Sequence, residues 1–176
     1  MRDIVFLLLI VLLFGACDSA APKKQTSALQ YFDLKGYMEK EAKRLKQLNP
    51  EIGKTVMVNN AEEYKKIRIT DWQKELSAFS DADINKSAWQ GLFTLHKGKD
   101  SETYLSDNDK VPVKSLALQY KNGRIYKIEV LNSNSNTLYT SNDTLSYFPD
   151  SLYEIRKTQH IRLLNGKNYR ITGRFR

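Results

Sequence analysis

Apolar residues at spacings of three and four, beginning near residue 27, indicate an amphipathic helix. Ser27 and Gln30 have the spacing of a capping box, in which each side chain satisfies a free backbone amide at the helix start. Asn49 and Pro50 end the pattern, because a residue that precedes proline avoids the helical conformation. The predicted apolar stripe consists of Tyr31, Leu34, Met38, Ala42, Leu45 and Leu48.

Two strands and a second helix are predicted to follow. Residues 54–59 and 63–69 have the composition of strands, with asparagines between them that favour a turn. Thr70 or Asp71 then caps a short helix. The buried side of this helix is predicted to contain Trp72, Leu76 and Phe79.

From Ser87 onward, apolar and polar residues alternate with period two, which is typical of half-buried strands. Strands joined by short turns pair antiparallel, and a large sheet of this kind twists into a curve. We therefore predict an α+β fold, in which the N-terminal helix packs on a long, curved antiparallel meander of seven to nine strands, shaped as a half-barrel or barrel or split into two sheets. The expected strands of this stretch are 89–97, 101–106, 114–120, 124–131, 138–148, 152–163 and 167–175.

The apolar pattern also predicts which residues face each other across a turn, because facing residues point to the same side of the sheet. Across residues 149–151 it places Tyr147 opposite Tyr153. The polar segment 132–136 is expected to be a turn whose pairing this test does not fix. Three other turns are predicted to have three-residue loops, which pair Leu95 with Thr103, Leu118 with Tyr126, and Arg156 with Arg174.

The chain starts with the pattern of an export signal. Ile4 to Phe14 is an apolar run of 11 residues. That is shorter than the roughly 20 residues that span a bilayer and suits a signal-peptide core. The run leads into Gly15, Ala16 and Cys17, which together with Phe14 resemble the lipobox of bacterial lipoproteins, although leucine is commonest where Phe14 stands.

This resemblance implies that residues 1–16 are a signal peptide and that Cys17 is the lipidation site. The sulfur would carry diacylglycerol, and the newly freed amino group would carry an acyl chain such as palmitate. Two or more chains anchor a protein stably, at about 0.8 kcal/mol per buried methylene. Residues 17–26 would then tether a single domain, 27–176, to a bilayer of the cell envelope, with the outer membrane favoured.

Composition agrees with a folded, exported domain. Of 176 residues, 41% are hydrophobic and 27% are charged, as in ordinary globular proteins. Cys17 is the sole cysteine, so an intrachain disulfide cannot form. The formal net charge is +8, but nucleic acid is a poor partner for an exported protein. No cofactor is expected, and the oligomeric state stays open.

Much of the excess positive charge falls in the last two predicted strands. The predicted register gathers a basic patch on one sheet face: Arg156, His160, Arg162, Arg170 and Arg174. Such a patch would suit an anionic lipid or an acidic protein partner. Alternatively, it is a solvated face whose arginines prevent strand-to-strand aggregation.

Two other pairs of polar residues are weaker candidates for a functional site. Asp143 faces Lys157 on the apolar side of their hairpin, which indicates either a wet pocket or a sheet that extends beyond its core. His96 faces Glu102, half of a catalytic triad, but no nucleophile motif accompanies the pair. We interpret it as a cross-strand contact and predict no enzyme activity.

A partial calcium-loop motif also occurs. Asp81, Asp83 and Asn85 match the opening of an EF-hand loop. Lys86 and Leu92, however, stand where that loop needs glycine and glutamate. No metal site is therefore predicted.

Two segments resemble those of small lipoproteins of the Bacteroidota: Tyr31–Tyr37, YFDLKGY, and Leu145–Tyr153, LSYFPDSLY. The resemblance implies an exported lipoprotein and brings no activity with it. We expect a non-enzymatic binding or envelope-assembly role. The predicted outline is also similar to outer-membrane lipoprotein carriers and receptors, so a carrier of an apolar or lipid ligand is one alternative, and a hydrolytic enzyme is another.

Overall fold

The computed structural model describes residues 29–176, so the predicted signal peptide, the predicted lipidation site Cys17 and Ser27 lie outside the described residues. The helices are α1 (Leu34–Leu48), α2 (Trp72–Glu75) and α3 (Ser77–Asp81), followed by a 3-10 turn at Ser87–Trp89. The strands are β1 (Glu51–Val58), β2 (Ala61–Arg68), β3 (Thr94–Lys97), β4 (Ser101–Leu105), β5 (Val113–Lys121), β6 (Arg124–Ser135), β7 (Tyr139–Phe148), β8 (Leu152–Ile161) and β9 (Lys167–Phe175).

These strands form one nine-stranded antiparallel sheet, which confirms the predicted α+β fold with a helix on a long meander. The strand order is β2-β1-β9-β8-β7-β6-β5-β4-β3, so β1 pairs with the last strand. The sheet does not close into a barrel, and β2 and β3 are its edges. The helices pack on one face, and we call the opposite, uncovered side the open face.

The first helix begins at Leu34, later than the capping-box pattern predicts. Asp33 caps it, because its carboxylate accepts the N–H of Gly36 at 2.8 Å. The side chain of Gln30 is used elsewhere and accepts the N–H of Gly91 at 3.0 Å. The expected start was therefore wrong, and the true cap lies at the aspartate.

The end of α1 and most of its buried stripe were predicted correctly. Asn49 adopts a left-handed conformation, with φ of 45°, directly before Pro50. Leu48 is 61% exposed, and Tyr31 precedes the helix instead of belonging to it. The residues of the stripe that are buried are Leu34, Met38, Ala42 and Leu45.

The short helical segment is capped by Asp71, which accepts the N–H of Lys74 at 3.0 Å. It breaks at Leu76 into α2 and α3. Trp72, Leu76 and Phe79 are at most 1% exposed, as predicted.

The predicted pairing across the β7–β8 turn is confirmed, since Tyr147 lies opposite Tyr153. Both side chains are fully buried. Their hydroxyls reach the helices: Tyr147 donates to Glu41 of α1 at 2.6 Å, and Tyr153 donates to Glu75 of α2. One cross-strand pair thus ties two helices to the sheet.

The β8–β9 register was predicted wrongly by four residues. Tyr153 lies opposite Gly173, and its ring covers that glycine so closely that a Cβ there would overlap it. Arg156 consequently faces Arg170 instead of Arg174. The connection is longer than the predicted three-residue loop and contains Leu163, which is 96% exposed.

Two further hairpins also differ from the prediction. Asn122 and Gly123 both have positive φ, 53° and 73°, as a two-residue type I′ turn requires. A bulge then shifts the register, so that Leu118 faces Ile128 instead of Tyr126. At the other edge, Leu95 faces Tyr104 instead of Thr103, because β3 is exposed throughout and has no buried side that would fix its register.

The close fit of Tyr153 over Gly173 makes a stability prediction. Gly173→Ala forces the buried ring to move and should lower the free energy of unfolding by about 1–3 kcal/mol. Gly53→Ala on the neighbouring strand is the control, since its Cβ would meet the exposed Tyr64 hydroxyl, at 2.9 Å, which can move aside. Urea unfolding measures both variants, and equal losses would contradict this account.

Because Tyr147 is buried, we predict that the folded protein loses stability at alkaline pH. Burial, together with the hydrogen bond to Glu41, raises the pKa of this phenol well above its ordinary value of 10.0. The unfolded chain therefore loses the proton first, so stability is full below pH about 10 and declines above it. Tyr147→Phe should make that decline shallower in unfolding measurements against pH. An identical decline in variant and parent would contradict a buried neutral phenol.

Candidate functional site

The open face carries the basic residues that the sequence singles out. Arg156 on β8 and Arg170 and Arg174 on β9 are exposed there, and we call these three the basic strip. His160 is exposed near the end of β8, and Arg162 follows that strand. The structure thus places Arg156 and Arg170 opposite each other. Arg174 and His160 each lie four residues further along their strands, towards opposite ends of the open face, and Arg162 lies beyond β8.

The contacts within the strip differ from the expected ones. Arg156 faces Arg170 directly, while His160 faces Thr140 of β7 and not Arg170. Arg174 faces Leu152. The change follows from the register that Tyr153 imposes on β9.

Two like charges across a strand pair repel each other, by a few tenths to about 1 kcal/mol. Arg156 is partly balanced by Glu154 on its own strand, at 2.6 Å. Among residues 29–176, neither Arg170 nor Arg174 has a carboxylate within ion-pair distance. The strip therefore keeps an excess of positive charge.

A shallow depression of about 290 Å³ lies beside the facing arginines. Met57 of β1 faces Arg170, so the row Met57–Arg170–Arg156 crosses three strands. The polar residues Asn59, Thr158 and Asn168 also line it. Two guanidinium groups beside a concave surface are suited to hold a carboxylate or another anion.

A second cluster lies on the helix-bearing face, around the Asp143–Lys157 pair. The carboxylate of Asp143 accepts the Ser141 hydroxyl at 2.6 Å, and Lys157 Nζ lies 3.5 Å from its other oxygen. Ser141 is 3% exposed. The pair lines a pocket of about 200 Å³, which we call the polar pocket.

The polar pocket also includes residues that the sequence did not single out. Asn132 and Asn134 lie on the end of β6, in the segment that was expected to be a turn. Asn132 Oδ1 is buried and has no hydrogen-bond partner among the described residues. Trp89 and Lys86 contribute from the 3-10 turn and its approach, with the ammonium 4.3 Å from the ring centroid.

A larger open groove, of about 560 Å³, lies beside α2. Its apolar floor includes Ile67, Ile155 and Ile171. An ion pair at 2.6 Å between Lys54 and Glu75 also lines it. The groove is amphipathic and borders a core that buried side chains fill.

The suggested half-triad is not formed. His96 faces Thr103, and Glu102 faces Lys97, whose Nζ lies 3.3 Å from the carboxylate. Because neighbouring residues of a strand point to opposite faces, His96 and Glu102 lie on different sides of the sheet. The expected contact between them was therefore wrong.

The partial calcium motif serves a structural role. Asn85 Oδ1 accepts the N–H of Tyr31 at 3.0 Å, and its amide donates to the Phe32 carbonyl at 2.9 Å. Across residues 29–176, no three histidine, cysteine or acidic side chains are grouped closely enough to hold a metal ion. In the same range, no helix has both the length and the apolar character that crossing a bilayer requires.

No protein-family model, curated protein or solved structure matches this chain.

The like-charge pair predicts that the strip costs stability. Arg170→Thr should raise the free energy of unfolding by a few tenths to about 1 kcal/mol at low ionic strength, and salt should remove the gain. The control is Arg174→Thr, because Arg174 faces only Gly53 and Leu152. Equal salt-dependent gains in stability in both variants would contradict repulsion between Arg156 and Arg170 as the cause.

Proposed function

We propose that this protein is a lipid-anchored protein of the cell envelope, with a non-enzymatic binding role in which the basic strip contacts an acidic protein partner. The single observation that carries the proposal is the direct opposition of Arg156 and Arg170 on an uncovered face. This arrangement is unfavourable in the free protein, and an anionic partner would relieve it.

The chain enters the domain on the helix-bearing side and leaves the open face uncovered. Tyr31 packs on the helix-bearing side, with its ring 5.3 Å from Phe93 and 6.0 Å from Tyr104. The residues between Cys17 and Leu29 span at most about 40 Å even if fully extended. The domain itself has a radius of gyration of about 15 Å. A tether of that length can hold the open face away from the lipid, where a protein partner can reach it.

The alternative of an apolar-ligand carrier has less support. The curve of the sheet is occupied by α1 and by the fully buried Tyr147 and Tyr153. The remaining groove beside α2 is open and contains the Lys54–Glu75 ion pair. An enclosed, wholly apolar cavity would bind an acyl chain better than this open groove does.

The anchor is tested by Cys17→Ser in the native host. The parent chain should fractionate with membranes and carry fatty acid by intact-mass analysis. The variant should lose both properties, because an unacylated chain lacks the buried methylenes that hold it. A variant that still sediments with membranes, beside a parent that carries no fatty acid, would overturn the anchor.

The partner surface is tested by reversing Arg156, Arg170 and Arg174 to glutamate. The lipidated chain in neutral nanodiscs should bind a polyglutamate peptide in a salt-dependent manner, and the reversal should abolish that binding. The matched control has the same charge change on exposed lysines of α1, Lys35, Lys40 and Lys43 to glutamate. It should bind nearly as the parent does.

Three results would contradict the proposal. Equal loss in the control would mean that net charge, and not the strip, attracts the peptide. Unchanged binding after the reversal would place the site elsewhere. Salt-dependent binding to phosphatidylglycerol vesicles that the reversal abolishes and the lysine control keeps, without binding of the peptide, would assign the strip to lipid headgroups.

A further inference from the structure

The polar pocket has features of a small-molecule binding site. It lies on the opposite face of the sheet from the basic strip and is therefore independent of it. Alternate residues Tyr139, Ser141 and Asp143 of β7 point into it, flanked by Asn132 on β6 and Lys157 on β8. The row Asn132–Asp143–Lys157 crosses three paired strands directly. Positions on three central strands are rigid, as a binding site requires.

One lining atom is left unsatisfied. Asn132 Oδ1 is buried without a partner among the described residues, although burying an amide oxygen unpaired costs about 1–3 kcal/mol. Its neighbour Asp143 already accepts from Ser141 and lies 3.5 Å from Lys157. Because Asn132 lines the pocket, a small turn of its side chain would bring this unpaired oxygen to a ligand that donates a hydrogen bond.

The charges of the pocket balance. Asp143 is paired with Lys157, while Lys86 Nζ donates to the backbone carbonyl of Asp81 and lies over Trp89. Two acidic and two basic side chains line the pocket, which favours a ligand without net charge. The remaining polar lining consists of amides and hydroxyls, groups that both donate and accept.

The volume of the polar pocket and the residues that form its walls limit the chemical class of the ligand. A volume of about 200 Å³ equals the liquid volume of roughly seven water molecules, which is suited to one small ring. Trp89, with Ala78 and Ala82, supplies an apolar wall opposite the polar strands. Apolar walls with a few convergent polar groups are typical of ligand pockets.

We propose that the polar pocket binds a neutral, polyhydroxylated ring compound of the size of a single sugar unit, with Asn132 Oδ1 accepting a ligand hydroxyl. Hydroxyl groups donate to this oxygen and accept from Lys157, so one ligand type meets both needs. The ring would pack between the β6–β8 strands and the wall that contains Trp89.

The test is a tryptophan fluorescence titration of the full lipidated chain in nanodiscs with glucose, galactose, mannose and N-acetylglucosamine. The chain has two tryptophans, and Trp72 is buried in the core. We expect a saturable change with at least one sugar, and Trp89→Phe should remove that change.

The substitution Asn132→Leu distinguishes a loss of sugar binding from a loss of protein stability. It keeps the shape of the side chain but removes the acceptor, so it should weaken sugar binding by about tenfold. Stability should not fall, because the unpaired buried oxygen is removed as well. The control, Asn142→Leu, makes the same change on the open face of β7 and should leave binding intact.

Four outcomes would overturn the proposal. Failure of all four sugars to give a saturable signal would mean that the pocket holds only water. Binding that persists in Asn132→Leu would place the sugar elsewhere. Equal loss in Asn142→Leu would indicate a nonspecific effect. Saturable binding of free glycine or alanine, with no sugar response, would change the ligand class to a zwitterion.

Discussion

The fold depends on the burial of two tyrosines that face each other across one hairpin. Tyr147 and Tyr153 bring large apolar rings into the core, but each also brings a hydroxyl that must find a partner. Glu41 and Glu75 provide those partners, one from α1 and one from α2. Each helix is thus fixed on the sheet both by packing and by a hydrogen bond to a charged group.

The sequence predicted which side of the sheet a residue lies on better than it predicted which residue it faces on the next strand. The reason is physical. A period-two pattern shows which side chains share a side of the sheet, but a shift of two or four residues keeps every side chain on its side. The β8–β9 pairing differed by four because Tyr153 needs the missing side chain of Gly173. That requirement joins residues on two strands and is not visible in either strand alone.

The candidate sites were predictable only in part. Charge patterning found the arginines, and face assignment found the Asp143–Lys157 pair. The unpaired Asn132 was missed because its segment is polar enough to predict a turn, whereas β6 extends to Ser135. The pocket lies where α3 ends beside β6, β7 and β8, and the point at which a short helix ends depends on tertiary packing more than on local propensity.

The pairing of β1 with β9 has a consequence for how the chain reaches its native state. Ile52 and Phe175 are neighbours in the sheet although most of the polypeptide separates them. Contacts between residues so far apart in the sequence make folding slow, and β1 and β2 cannot join the rest of the sheet until β9 is in place. A polypeptide of this design therefore cannot complete its native sheet before β9 has been synthesised.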